Sequence, residues 1–506
     1  MIVQDQSDVC AFLARAVGAE TRETHISRLF LGPGRVCKLK RAVRLPYLDF
    51  STPALRHAAC LREVERNASA APDLYLGVRR ITASESGGLA WEGSGALVDA
   101  VVEMRRFEEA MLLDRLAARG ALPPALMEPL AAAIADLHAA APRAQEPGAA
   151  NIAAVLAINE AALAEAEAFP AADIARFNRG FRDGLAGLAP LLDARARDGR
   201  VRLCHGDLHL GNIFLENGRP VLFDCIEFND RIATIDVLYD LAYLLMDLRH
   251  RDLDQHANTV ANRYLDITGD EAGMPTLPYF MALRAGVRAH VTGTRIAEGD
   301  RDAATRDLAD EYFRLALRLL EPAPPVVVAI GGLSGAGKST VAAALAPRLG
   351  GGAGARHLAS DRIRKAQHGV APETRLPESA YAATESRRVY DELTRRAALL
   401  ASGGTAVVAD AVFAREDERA QIAAAARAAG VPFLGVWLDL PAGRLAERLA
   451  ARRGGPSDAT PSVLERQLGY ELGVMDWQRV DAGPPPDEVA EAILRLIRSR
   501  ADIPYG

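Results

Sequence analysis

Val326-Val327-Val328-Ala329-Ile330-Gly331-Gly332-Leu333-Ser334-Gly335-Ala336-Gly337-Lys338-Ser339-Thr340 decides the fold of the second part of this chain. The β-branched run suits a strand buried on both faces of a parallel sheet. Gly332 to Ser339 completes the phosphate-loop pattern, with Thr340 to Leu349 following as a helical run. Strand, glycine loop and helix in that order form the context the motif requires. Glycines let the backbone amides curl round phosphate oxygens without Cβ clashes. Gly332, Ser334, Gly335, Ala336, Gly337, Lys338, Ser339 and Thr340 are therefore the candidate ATP-binding residues here. Lys338 is expected to reach the β/γ oxygens and Ser339 to hold Mg2+. The helix N-terminus adds a favourable dipole.

Downstream, His357 to Ala359 reads as a second strand, followed by Ser360-Asp361-Arg362-Ile363-Arg364. Asp361 is the candidate catalytic carboxylate facing an acceptor hydroxyl. Val407-Val408-Ala409-Asp410 reads as a strand ending in a candidate metal carboxylate. Arg444, Arg448, Arg452 and Arg453 follow on a helix from Ala442 that runs into Gly454-Gly455-Pro456, the pattern of a lid. Arg452 is the candidate catalytic arginine. Leu464 to Trp477 reads as a packing helix with a Trp anchor. Strands at 326–330, 405–410 and 432–438 alternating with helices give an α/β domain with a parallel sheet over 326–506. This order resembles the gluconate kinase and zeta-toxin-like P-loop kinases over about 326–480. GTPase base-reading sequences are absent.

Upstream, Glu321-Pro322-Ala323-Pro324-Pro325 marks a semi-rigid linker. Before it, Asp302 to Leu320 has apolar residues at helical spacing. Residues 1–321 divide again, into a small lobe of mostly strands (about 1–107) and a helical lobe (about 108–321). Ile26 to Leu31 and Arg35 to Lys40 flank Gly32-Pro33-Gly34, a hairpin signature. Leu55 to Ala70 reads as a helix and Ala96 to Met104 as a strand.

The helical lobe carries a second phosphoryl-transfer signature of unrelated design: His205-Gly206-Asp207-Leu208-His209-Leu210-Gly211-Asn212, then Phe223-Asp224. Such chemistry needs a carboxylate on the acceptor hydroxyl, oxygen ligands for magnesium and a cation on the ATP phosphates. Asp207 and Asn212 have the spacing of base and metal-binding asparagine in a kinase loop. Asp224 ends the strand after the turn Glu216-Asn217-Gly218-Arg219 and can reach the same magnesium. Lys38 with Glu63 is the first choice for the phosphate-binding ion pair, Lys40 and Glu65 the second.

HGDLHLGNIF with FDCIEF resembles the aminoglycoside phosphotransferase-like kinases, the group that includes choline and sugar kinases, over about 24–320. The resemblance implies an α+β bilobal protein-kinase-like domain with ATP between its lobes. It places Glu103 and Met104 at the inter-lobe hinge against adenine. No GxGxxG precedes the lysine. Thr24-His25-Ile26-Ser27 takes that place, with Ser27 a candidate ATP contact. The metal triplet is Asp224-Cys225-Ile226. Glu227 follows as a possible helper or a surface carboxylate, while Asp236 and Asp240 are expected to cap helices or brace the catalytic loop.

The chain has 506 residues, a quarter of them charged, and a net charge of −6, which gives no basic footprint for nucleic acid or an anionic membrane. Cys10, Cys37, Cys60, Cys204 and Cys225 lack ligand or framework spacing and fit a reducing compartment. Neither a signal peptide nor an 18-residue apolar run is evident, so a cytoplasmic location is expected. Together these features predict a bifunctional Mg-ATP kinase acting on small hydroxyl compounds of the sugar, polyol or amino sugar class. The alternatives are one active kinase with a regulatory nucleotide-binding domain, or a non-catalytic ATP sensor. Cutting at Pro322 to Pro325 is expected to yield two halves that each fold.

Overall fold

The computed structural model describes residues 3–45, 48–85, 87–165, 169–297, 302–451 and 457–500. It divides into two compact units, Met1–Asn151 with Leu192–Leu244, and Ile152–Leu191 with Leu245–Gly506.

The first unit is built on an antiparallel sheet. Its strands are β1 (Glu20–Glu23), β2 (Ser27–Leu31), β3 (Arg35–Lys40), β4 (Tyr75–Ala83), β5 (Leu89–Trp91) and β6 (Leu97–Arg105). They lie in the order β1-β2-β3-β6-β4-β5. Successive side chains point to opposite faces. Val36 and Val102 therefore pack with Cys60 of the helix Pro53–Asn67, while Cys37 and Val101 pack with Val9 and Leu13 of the helix Ser7–Ala16. That N-terminal helix has no counterpart in the sequence reading. The period of two also sets Lys38 and Lys40 on the face beneath Pro53–Asn67. Thr52 caps that helix, its side chain accepting from Leu55 N, and Pro53 opens it.

β7 (Val201–Leu203) pairs antiparallel with β10 (Thr234–Asp236), and β8 (Ile213–Glu216) with β9 (Arg219–Leu222). Asn217 and Gly218 both have positive φ, 50° and 76°, as a two-residue hairpin turn demands.

In the second unit five strands form an all-parallel sheet: β11 (Val327–Gly331), β12 (Arg356–Ala359), β13 (Val407–Asp410), β14 (Phe433–Asp439) and β15 (Gln478–Asp481). The order is β12-β13-β11-β14-β15. β11 is central and buried throughout, as its unbroken apolar run requires. Val341 and Leu345 of Lys338–Leu345 and Ile493 of Pro486–Ser499 fill one core with it. The helices Leu277–Ala297, Ala303–Leu320 and Asp254–Thr268 belong to this same unit.

One expectation is overturned. The helix foreseen from Leu464 to Trp477 runs only over Pro461–Leu468. Gly469 caps it, and Gly473 adopts a φ of 63° that helix does not tolerate. Trp477 is nonetheless a packing anchor. It leads into β15 and lies so close to Gly435 that a Cβ there would stand 2.4 Å from the indole.

Candidate active sites

The first site assembles in the first unit from β3, the helix Pro53–Asn67 and the segments after β7 and β9. Lys38 Nζ is 2.8 Å from Glu63 Oε1 and 2.5 Å from Asp224 Oδ1. The Lys38–Glu63 pair is thus the first choice of the sequence reading. Lys40 is fully buried, 2.5 Å from Glu63 Oε2 and paired with Glu227. Glu227 is therefore no surface carboxylate. Burial alone would raise the pKa of Glu63, but Lys38 and Lys40 override it and hold the group at about 2. Burial lifts Glu227 above the usual range against the pull of Lys40. Burial works against the charge on Lys38, yet Asp224 and Glu63 raise its pKa well above normal.

The two lysines have separable roles. Lys38 touches the half-buried Asp224 at the open side of the site, while Lys40 neutralises two buried carboxylates. Removing one member of a buried ionic group typically costs about 3–5 kcal/mol. Lys40→Met should therefore lower the melting temperature sharply, and Lys38→Met should do less. Thermal unfolding of both variants checks this, and a Lys40→Met chain as stable as the parent would refute it.

The catalytic loop is held from behind. Asp240 accepts from His205 N at 3.1 Å, from Gly206 N at 2.9 Å and faces His138 Nε2 at 3.1 Å. It braces the loop, and Asp236 pairs with Arg195 at 2.7 Å while capping Leu238 N. Gly206 has a φ of 85°, and a Cβ there would meet Ile226 Cδ1 at 2.9 Å, so the position between His205 and Asp207 requires glycine. Burial lowers the pKa of His205 despite nearby Asp240. The neutral ring donates from Nε2 to Phe223 O at 2.9 Å and accepts from Asp207 N at Nδ1. Asn212 Nδ2 donates to Asp207 Oδ2 at 3.0 Å and to Asp207 O at 2.9 Å.

Asp224 sits at a φ of 64°, a strained conformation for a residue with a side chain. Tyr75 Oη accepts from Asp224 N at 3.1 Å and Asn67 Oδ1 from Cys225 N at 3.0 Å, which pins it. Neither Tyr75 nor Asn67 was singled out from the sequence. Asn212 is thus bonded to Asp207 and Asp224 to Lys38, side chains that carry the hard oxygen atoms a dication such as Mg2+ takes.

Thr24-His25-Ile26 forms the tip between β1 and β2. Ser27 is fully buried beside Lys40, its register partner, and its Oγ has no hydrogen-bond partner among the described residues. Glu103 and Met104 lie within β6, between β3 and β4. Glu103 pairs with Arg35 at 2.9 Å and Met104 packs with Phe214 in the core. The amides of Arg105 and Arg106 still donate to Leu74 and Gly34, so the chain leaves the sheet only after these residues.

The second site lies at the C-terminal ends of β11, β12 and β13. Gly335 and Gly337 have φ near 89° and 88°. A Cβ on Gly335 would come within 2.6 Å of Leu445 O, so the loop needs glycine to curl beneath the helix Ala442–Ala451. Gly332 and Ala336 are buried, Ser339 and Thr340 exposed. Ser334 N donates to Gln467 Oε1 at 2.8 Å. Lys338 Nζ is 3.1 Å from Leu333 O. Ser339 Oγ donates to Asp410 Oδ1 at 3.2 Å. Asp410 Oδ2 is 2.6 Å from His357 Nε2. Sequence reasoning took His357 only as a strand residue. Burial raises the pKa of Asp361. Ser457 pulls it the other way, and Asp410 adds to the rise while Lys338 opposes it. Asp361, Asp410, Ser339 and Lys338 thus share one site, with oxygen donors for Mg2+ at Ser339 and Asp410. Arg452 lies outside the described residues. Arg448 stands 3.5 Å from Ala336 O, and Arg444 is exposed beside Glu447.

Residues 56–277 match the model of a phosphotransferase enzyme family, and residues 327–471 match an AAA domain model. An uncharacterized protein of Mycobacterium tuberculosis is 29% identical over 494 residues, which cover 94% of each chain. Among solved structures, a gluconokinase from Sinorhizobium meliloti aligns at 25% identity over 35% of this chain and 95% of its own, with a TM-score of 0.25. A choline/ethanolamine kinase family protein from Mesorhizobium loti aligns at 15% identity over 62% of this chain and 95% of its own, with a TM-score of 0.39. The chain is a kinase in which a phosphotransferase-family domain is fused to a P-loop kinase domain. Among the described residues no helix is long and apolar enough to cross a membrane.

Proposed function

We propose that both domains are working kinases, residues 1–321 forming one and 326–506 the other, and that each transfers the γ-phosphate of ATP to the hydroxyl of a small molecule. The carrying observation is that each unit has its own lysine and carboxylate arrangement. Lys38 lies beside Asp224 and Glu63, and in the second unit Lys338 stands in the glycine loop next to Ser339, which donates to Asp410.

In the first site Asp207 orients the acceptor and takes its proton, while Asn212 and Asp224 hold Mg2+. Ser27 and the tip 24–26 cover the phosphates, and the end of β6 from Glu103 and Met104 onward borders adenine. In the second site Asp361 faces the acceptor, and Ser339 and Asp410 hold Mg2+. Bound there, Mg2+ would neutralise charge on the phosphates. The acceptors belong to the sugar, polyol or amino sugar class, with no nucleic-acid or membrane partner. A cytoplasmic setting suits five cysteines none of which forms a disulfide.

The test is a phosphate-transfer screen with sugars, polyols, amino sugars and nucleosides, run on the parent, Asp207→Asn and Lys338→Ala. The expected result is two acceptors, each lost in one variant only. An acceptor set lost wholly in one variant and untouched in the other would mean a single active site.

A further inference from the structure

β12 is an edge strand, so among the described residues one side of its backbone has no neighbouring strand. Asn262 of the helix Asp254–Thr268 fills that place. Its Nδ2 donates to Ala355 O at 3.2 Å and its Oδ1 accepts from His357 N at 2.8 Å. The side-chain amide does for this edge what a partner strand would do. The same Oδ1 accepts from Arg356 Nη1 at 2.9 Å. Arg356 is fully buried, and its Nη2 reaches Asp266 Oδ1 at 2.6 Å and Glu271 Oε1 at 3.0 Å. The backbone of His357 is thus fixed from the helix side, while its ring holds Asp410 Oδ2 and the other oxygen of that carboxylate takes Ser339 Oγ.

We propose that Asn262 is a positioning residue of the second site: by clamping β12 it keeps His357 on Asp410 and so aims that carboxylate at Ser339 and the metal position. The inference rests on the Mg-ATP kinase reading of this site. It makes a helix that precedes the Pro322–Pro325 linker part of the second site's support. Groups that orient a metal ligand from behind are typically worth about 10–100-fold in metal affinity or activity.

The experiment uses the full chain carrying Asp224→Asn, which removes the metal-facing carboxylate of the first site. Two quantities are read: ATP hydrolysis with water as acceptor, and Mn2+ binding with a non-hydrolysable ATP analogue by electron paramagnetic resonance. Asn262→Ala and His357→Ala are each expected to lower kcat and weaken Mn2+ binding by about 10–100-fold, with KM for ATP unchanged. The double variant should be no worse than His357→Ala, because the first residue acts through the second. Asn258→Ala serves as the docking control. Asn258, on the same helix, donates through its Nδ2 to Ala353 O and Ala355 O at 2.8 and 3.0 Å, both before His357 in the chain. This variant should keep both values. Parent values in Asn262→Ala, multiplying effects in the double variant, or an equal loss in Asn258→Ala would each overturn the proposal. Should Asn262→Ala unfold, Asn262→Asp keeps the acceptor for His357 N and should retain kcat, and a loss as large as that of His357→Ala counts against the proposal. A parent without ATP hydrolysis would refute the kinase reading, and the Mn2+ affinities would still decide the role of Asn262.

Discussion

Replacing Asp207 by Asn is expected to abolish phosphoryl transfer at the first site while ATP affinity stays close to that of the parent. The substitution is nearly isosteric. Asn212 Nδ2 now donates to Asp207 Oδ2 and to Asp207 O, and the second bond survives the change. The Asp240 carboxylate braces the loop through the backbone amides of His205 and Gly206, not through the Asp207 side chain, so the brace is untouched. Lys38, Glu63 and Asp224 stay in place, so the groups meant for the phosphates and the metal remain. What is lost is a carboxylate able to accept the hydroxyl proton. General-base contributions of this kind are typically about 10²–10⁴-fold. The measurement is transfer to the first-site acceptor in a Lys338→Ala background, with ATP binding read separately by calorimetry. Turnover near the parent level would mean that Asp207 is not the base. A parallel collapse of ATP affinity would instead mean that the loop had been disturbed.

The parts of both sites that were legible in the sequence are those encoded locally. The phosphate loop is eight consecutive residues between a strand and a helix. Asp207 and Asn212 lie five apart, and Asp224 follows one hairpin later. Each group reports its neighbours through spacing alone. The Lys38–Glu63 pair was legible for a different reason: alternation along β3 sets both lysines on one face, and a helix with glutamates follows. The contacts that stayed hidden join residues far apart in the chain, such as Tyr75 with Asp224, and His357 with Asp410 and Asn262. No periodicity links such positions, because each partner looks ordinary within its own element. Glu227 left two readings open on sequence grounds, and only its burial against Lys40 removes the surface one. The helix ends short of Trp477 for a local reason: Gly469 and Gly473 are helix breakers that outweigh the apolar spacing towards the Trp anchor.

Lys338→Ala is expected to silence the second site and spare the first. Lys338 is the cation built into the phosphate loop. Its ammonium lies 3.1 Å from Leu333 O, within the loop itself. The glycines and the amides of Gly335 to Thr340 can still cradle the phosphates without it, so some nucleotide binding should persist. The charge developing on the β/γ oxygens during transfer would lose its compensating cation. Loss of one preorganised transition-state donor commonly costs on the order of 10²–10³-fold in kcat. A full positive charge should stand at the upper end of that range. Arg448 does not replace it, since its guanidinium is directed to Ala336 O and Gly483 O at 3.5 and 3.3 Å. The measurement is ATP hydrolysis by the full chain in an Asp207→Asn background, with nucleotide affinity followed alongside. A kcat within a few-fold of the parent would remove Lys338 from the chemistry. A loss confined to affinity would show that the lysine binds ground state and transition state alike. First-site transfer in the single Lys338→Ala variant should remain intact, because Lys38, Asp207 and Asp224 stand in a separate unit with their own ion pairs.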